Sequence, residues 1–490
     1  MHLTAFSLLV LPLCLIWALR PIRLLQLLAV VSVFEAAAAL VLGSFGLQPG
    51  LVPACAFVAY VVLQLMLGAR YPGAREVWRL VTPFLLVTVW AVVSSFIMPR
   101  LFEDQVYVWP QKSSPPFVLT RLHPTDANLN QVLYLLVNAA VLFAVALFTT
   151  KSRLRLRPLL YSYFIGAFAA AGVALWQLGS RVAHVPFPDD FFYSNPGWAI
   201  LTEQTIGSGI PRINGPFSEP SALGGNMAAV VCCTGWLILQ GHRKRVLKLL
   251  FATGLAGVVI STSATGVATL IIAGIGIVAY ASLSGSRRLL ASLMKFAVPA
   301  ALLVGMAGVT AAAFAPSILT GVQQVFVETA DKQDSTSYQD RTTADLDSIQ
   351  AAIDTYGLGV GWGSNRSSSL GPGLLASLGV PGVAGLLWFG IALVRTVRQT
   401  RRAGTAEQVM VVDGCCGAIV GILVAAALAG PTITSVMFFF LLGLLIGTLA
   451  RIKVDARARA AFVRWQMQAA MQSALASEAS LAEEYEYVRS

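Results

Sequence analysis

Charge is scarce in this chain. Of 490 residues only 12% are Asp, Glu, Lys or Arg, while 57% are hydrophobic and mean hydropathy is +0.73, a balance that excludes an ordinary soluble globular protein of this length. Histidine is scarcer still, with four residues. The six cysteines (Cys14, Cys55, Cys232, Cys233, Cys415, Cys416) form no CxxC and no Cys/His spacing. Neither a zinc site nor a disulfide framework is implied; the cysteines read as small packing residues within helices, and no metal or cofactor is expected. A cleavable leader is lacking too. Met1 to Ala18 has no basic n-region and precedes Arg20 and Arg23, and Leu13 is too large for lipoprotein-type cleavage before Cys14, so the first helix is expected to be retained. No internal repeat of the kind common in transporters is visible.

What is present is a succession of apolar runs near the roughly 20 residues that cross a bilayer core. The expected spans are 3–19, 24–46, 51–68, 80–98, 131–149, 158–178, 221–240, 246–262, 265–283, 294–315, 373–394, 409–429 and 434–450, which makes an all-α polytopic membrane protein of about 13 transmembrane helices. Alternate connections carry the basic residues: Arg20 and Arg23; Arg70, Arg75 and Arg79; Lys151 to Arg157; Arg243 to Lys248; Arg287 to Lys295; Arg395 to Arg402; and the tail from Arg451. The positive-inside rule then puts the N-terminus outside and the C-terminus in the cytoplasm. The formal charge of +11 is thereby a matter of topology, and no nucleic-acid partner is expected.

Three long outward loops, about 99–130, 179–220 and 316–372, hold the polar chemistry. They carry eight basic residues against fourteen acids, so any anion must be held locally, by a few placed arginines. Arg212-Ile213-Asn214-Gly215-Pro216-Phe217-Ser218-Glu219-Pro220-Ser221 sets an arginine and a carboxylate at the mouth of a helix. Residues 317–327 and 340–356 have apolar residues at helical spacing, the second with Leu346, Ile349, Ile353 and Tyr356 and a C-cap at Gly357. They predict two short amphipathic helices lying on the outer leaflet or lidding the bundle.

The run Gly357-Leu358-Gly359-Val360-Gly361-Trp362-Gly363, bracketed by Arg341 and Arg366, reads either as a backbone nest for phosphate or as a tight re-entry turn; the flanking arginines favour function. Asp345-Leu346-Asp347 spells a metal-binding DxD but reads as surface chemistry. Glu35 falls mid-span and Asp413 a turn from a helix end; both read first as structural, with proton coupling the rival. Ser261 to Gly266 is a near-loopless turn whose hydroxyls either cap the helices or line an outward cavity. The tail from about 455 predicts a helix with an acidic end, contacting a partner or the inner leaflet, with a disordered tail as the alternative.

The order of these motifs resembles the O-antigen polymerase and O-antigen ligase superfamily of bacterial inner membranes. The matching features are Arg212 to Ser221, Ser261 to Gly266, Arg341, Gly359 to Ser364 and Gly379 to Gly382. Ligases carry a histidine after the glycine re-entry, where this chain has Ser367 to Pro372, and commonly show Asn where this chain has Glu219. The polymerase branch is the better likeness. That resemblance implies a GT-C-like fold. Its division is 1–130 (N-terminal helices and first loop), 131–450 (catalytic membrane core with loops 179–220 and 316–372) and 451–490 (cytoplasmic tail). The implied activity is metal-independent polymerisation of undecaprenyl-diphosphate-linked repeat units at the periplasmic face, with a chain-length regulator as partner. Arg212, Arg341 and Arg366 would bind the diphosphate, with Arg212 and Arg341 acting in catalysis and Glu219 as the base. An O-antigen ligase or other oligosaccharide transferase, and a polysaccharide or lipid transporter, are the alternatives. A purely structural Arg212–Glu219 pair is the rival reading of the motif.

Overall fold

The computed structural model describes residues 2–43, 45–111, 118–197, 200, 205–206, 210–242, 244–283, 291, 293, 295, 336–430 and 434–489. The expected span 294–315 and the expected amphipathic helix 317–327 lie outside the described residues. The chain folds as helices: α1 (Ser7–Ile16), α2 (Pro21–Val31), α3 (Leu51–Met66), α4 (Ala74–Leu101), α5 (Asp126–Thr149), α6 (Arg157–Ala183), α7 (Asp189–Phe192), α8 (Pro220–Leu239), α9 (Arg245–Ser261), α10 (Ala264–Leu283), α11 (Thr336–Asp354), α12 (Leu370–Thr400), α13 (Ala406–Ala429) and α14 (Val436–Arg489). Strands are short and antiparallel: β1 (His2–Leu3) with β2 (Leu40–Leu42) and β3 (Phe45–Leu47), β4 (Tyr107–Val108) with β5 (Thr120–Arg121), and β6 (Thr205–Ile206) with β7 (Ile210–Pro211).

Among the described residues eight helices, α4, α5, α6, α8, α10, α12, α13 and α14, are long and apolar enough to cross a membrane, and the chain is a multi-pass membrane protein. The expectation of 13 spans is therefore corrected. α1, α2, α3 and α9 have 10, 11, 16 and 17 residues, about 15 to 26 Å at 1.5 Å per residue, short of a hydrocarbon core about 30 Å thick. The run 24–46 is not one helix. α2 stops at Val31, and the chain beyond it takes tertiary hydrogen bonds in place of helical ones: Ala36 N–H donates to the Pro216 carbonyl (3.2 Å) and Ala39 N–H to Leu47 (2.8 Å). The expected span 434–450 grows instead, its helix continuing through the tail to Arg489.

Small residues let the helices close. Gly443 and Gly447 of α14 lie on the backbone of α5 at Leu142 and Ala146, and Gly417 and Gly421 of α13 lie on α8 at Cys233 and Ala229. Both are small-xxx-small seams, the usual route to close packing where lipid removes the hydrophobic drive between helices. Cys232 and Cys233 are buried in the second seam, as their reading as packing residues requires.

Polar cross-links hold the end of the bundle that carries the basic loops. Glu407 accepts from the free N–H groups of Leu156 and Arg157 at the start of α6 (2.8 and 2.9 Å). Glu76 faces Lys453 and Arg457 (3.8 and 2.8 Å). Arg401 grips Asp413 with two bonds (2.6 and 2.7 Å) and donates to Gln240 (3.1 Å). Asp413 is thus a structural ion-pair partner. Its side chain is 3% exposed against 33% for Arg401, so the two truncations are unequal. Arg401→Ala strands a buried carboxylate and is expected to cost about 3–5 kcal/mol. Asp413→Asn leaves a half-solvated guanidinium and should cost less, a ranking that thermal unfolding in detergent checks.

Candidate active site

The segment from Arg212 to Glu219 turns back into the bundle. Gly215, at φ +57°, sits against Ala174 and the carbonyl of Ala170, which a Cβ would approach to 3.2 and 3.5 Å, while α6 itself runs on to Ala183. The turn therefore packs against α6 about two and a half to three and a half helical turns before its end. Its clamp is Gln177 of α6, 1% exposed, whose Oε1 accepts from the N–H groups of Asn214 and Gly215 (2.9 and 2.8 Å). Gln177 donates to the Tyr193 hydroxyl, which donates to the Gly215 carbonyl (both 2.8 Å), and Asn214 donates to the Ser218 carbonyl (3.1 Å). Ile213 and Phe217 are buried with Leu223 beneath. Glu219 is the N-cap residue of α8 with Pro220 following, and its Oε1 accepts from the Ser221 hydroxyl (2.5 Å).

The turn Ser261 to Gly266 packs directly below. Gly224 and Gly266 bring α8 and α10 into backbone contact, and Ser261 and Ser263 are buried against Gly224. With Ser261 donating to Val258 (2.7 Å) and Thr262 in the left-handed region at φ +48°, the turn caps and packs. Ser261 and Ser263 are both buried and line no outward cavity.

α11 ends as predicted, Gly357 N–H closing on the Ala352 carbonyl (2.8 Å) at φ +78°. Its apolar stripe, however, points away from the protein: Leu346, Ile349, Ile353 and Tyr356 are all exposed. The opposite face does the binding. Asp345 accepts from Ser368 and Ser369 N–H (2.8 and 3.0 Å) and the Ser369 hydroxyl (2.6 Å), occupying free donors at the start of α12. Asp347 accepts from Trp109 Nε1 (2.9 Å), and Ser348 from Asn365 Nδ2 (2.8 Å). Both carboxylates of the DxD are thus spent on docking α11. Asp345→Ala is expected to cost about 1–3 kcal/mol of stability, with loss of thermal stability in detergent that added divalent cations do not restore.

The glycine run is a wedge, and the phosphate-nest reading is corrected. Gly357, Gly359, Gly361 and Gly363 all have positive φ, between +78° and +93°, and the N–H groups of Gly359 and Val360 go to Thr355 Oγ1 (3.0 Å) and the Ala376 carbonyl (2.7 Å). Those two donors are used within the fold. α12 is broken at Gly379 to receive the run: Val380 N–H bonds the Gly357 carbonyl (2.8 Å), and Trp90 Nε1 takes the freed Leu378 carbonyl (2.7 Å), as backbone at membrane depth requires. The wedge ends at Arg366, whose N–H donates to the Trp109 carbonyl (2.7 Å) and whose side chain is exposed.

These elements bring the predicted residues together. Burial pulls the Arg212 guanidinium below its ordinary value, Glu219 opposes the shift, and Arg341 adds to it. Arg366 responds to the same causes in the same order. Arg212, Arg341, Arg366 and Glu219, from three segments of the chain, therefore share one electrostatic neighbourhood. Arg212 is partly buried; Arg341 and Arg366 are exposed, Arg366 lying where solvent reaches it while protein crowds it. The arrangement can hold a diphosphate with charge-assisted forks and offer a carboxylate beside it. An open cleft of about 540 Å³, lined by Ala5, Phe187, Pro188, Asp189, Asp190 and Phe191, has no basic residue and is not that anion site.

One residue of this region escaped the sequence reading and another was misplaced by it. Gln177, the clamp, is a lone amide near the end of an apolar helix and belongs to no motif. Glu35 does carry a local signal, a carboxylate in an apolar run, but it was placed mid-helix; it belongs to the chain after α2, beside Pro216. A comparison with protein-family models matches none of them, and a comparison with curated proteins finds none that matches, so the chemistry of the site has to be argued from its own residues.

Proposed function

We propose that the protein is a polysaccharide polymerase of the O-antigen polymerase type, transferring a growing glycan from undecaprenyl diphosphate onto a second lipid-linked repeat unit at the periplasmic face of a bacterial inner membrane. The observation that carries the reading is the electrostatic coupling of Arg212 and Arg366 to Glu219 and Arg341. As the bond from the anomeric carbon to the phosphate oxygen breaks, its electron pair leaves with the diphosphate, and the growing charge is met by the arginines. Donors fixed before the reaction stabilise that state more than the ground state. The acceptor oxygen bonds to the anomeric carbon and its proton passes to the Glu219 carboxylate. The exposed stripe of α11 suits the outer leaflet from which the lipid-linked substrate enters.

Purified protein incubated with undecaprenyl-diphosphate-linked repeat units tests this reading. The expected result is glycans longer than one repeat on the carrier, with release of undecaprenyl diphosphate. Transfer only to a separate lipid acceptor would make the protein a ligase, and no transfer to either would contradict both.

A further inference from the structure

The segment after α2 is built against the same turn, although nothing in the motif of residues 212–221 calls for it. Ala36 N–H donates to the Pro216 carbonyl (3.2 Å), and the Ala36 carbonyl accepts from Asn195 N–H (3.1 Å). Ala38 N–H donates to the Ser194 hydroxyl (3.1 Å) and Asn195 Nδ2 to the carbonyls of Ala37 (3.4 Å) and Gly46 (3.3 Å). On the other flank Val33 is buried with Ile213, Phe217 and Leu223, with Phe34 packed against that cluster and against Phe6 and Phe192. Glu35 is the one residue between these two anchored flanks, and it is half-buried. A carboxylate this close to the diphosphate site is costly if ionised and unexplained if inert.

Resting on the polymerase reading, we propose that Glu35 is a positioning residue of the transfer: its carboxyl faces Glu219 and shares a proton with it, so that the pair presents one negative charge, and not two, to the arginines that receive the diphosphate. Two carboxyls confined together cannot both ionise cheaply. Burial, and secondarily the Glu219 charge, raise the Glu35 carboxyl to about 7. The charged groups coupled to Glu219 are Arg212 from the re-entrant turn and Arg366 after the wedge, and both of these also feel Arg341 from α11. Below neutrality the proton stays on the pair and the arginines outweigh a single carboxylate. As pH rises through about 7 the proton leaves, a second negative charge appears beside the anion site, and the donor diphosphate is held less tightly.

Two readouts on detergent-purified full-length protein test this. Infrared difference spectra across pH 5 to 9 should show a protonated carboxyl that ionises near neutrality, is lost in Glu35→Gln, and titrates at lower pH in Glu219→Gln. Binding of undecaprenyl diphosphate to wild type should weaken by roughly tenfold more between pH 6 and 8.5 than binding to Glu35→Gln, about one pH unit of coupling; the probe's own ionisation is common to both proteins. A carboxyl titration unmoved by Glu219→Gln, or the same pH dependence of binding in Glu35→Gln and wild type, would overturn the inference. Failure of wild type to bind undecaprenyl diphosphate at any pH would instead overturn the polymerase reading and the donor half of the inference, while the infrared titration still decides whether the pair shares a proton.

Discussion

On the polymerase reading, Glu219→Gln is expected to lower glycan transfer by roughly 10² to 10³-fold while leaving the protein folded, because it removes the proposed base. Arg212→Ala should fall by a similar factor, the loss of one fixed donor to a developing anion. A purely structural Arg212–Glu219 pair predicts another outcome: both variants would melt earlier and keep the turnover of whatever stays folded. The turn at 212–219 is also held by Gln177, Tyr193 and Asn214 and by the burial of Ile213 and Phe217. Turnover per folded molecule, measured beside a melting curve, separates the two.

The second large effect is on folding. A Cβ at Gly359 would lie 2.6 Å from the Gly379 nitrogen and 2.7 Å from the Ala376 carbonyl. Both are backbone atoms of the broken helix α12, and φ at Gly359 is +82°. Neither the clash nor the left-handed strain can be relieved by a rotamer change, so Gly359→Val should destabilise by more than about 4 kcal/mol. The expected result is little folded protein in membranes. Gly390, in the same helix with nothing within 4 Å of an added Cβ, is the control: Gly390→Ala should be neutral or gain up to about 1 kcal/mol. Equal loss at the two positions would contradict the wedge.

Much of this was legible in the sequence, and the remainder fails for identifiable reasons. Hydrophobic length located the eight spanning helices and the start of α8 at Glu219, since a long apolar run next to a Pro at the first helical position leaves little choice. The same criterion overcounted at 24–46. Ala36 to Leu42 is as apolar as any helix, and no Gly or Pro interrupts it before Gly43; the chain leaves the helix because Pro216 and Leu47 offer better partners, which only tertiary contact reveals. That error set Glu35 within a helix, when it belongs to the chain after α2. The glycine run was ambiguous because nest and wedge share one pattern. What separates them is the position of Ala376, Ser94 and Asn128 on other helices. The α11 stripe was read correctly as amphipathic, but its exposed apolar face inverts the usual expectation, since the binding face is Asp345, Asp347 and Ser348.

The most direct test of the central claim is glycan length on the lipid carrier in cells lacking this protein, complemented with wild type, Arg212→Ala, Glu219→Ala or Arg341→Ala at matched membrane expression. The structure leads us to expect single repeat units in the deletion strain, long chains with wild type, and single units again with each variant. Normal long chains on the carrier in the absence of the protein would contradict it.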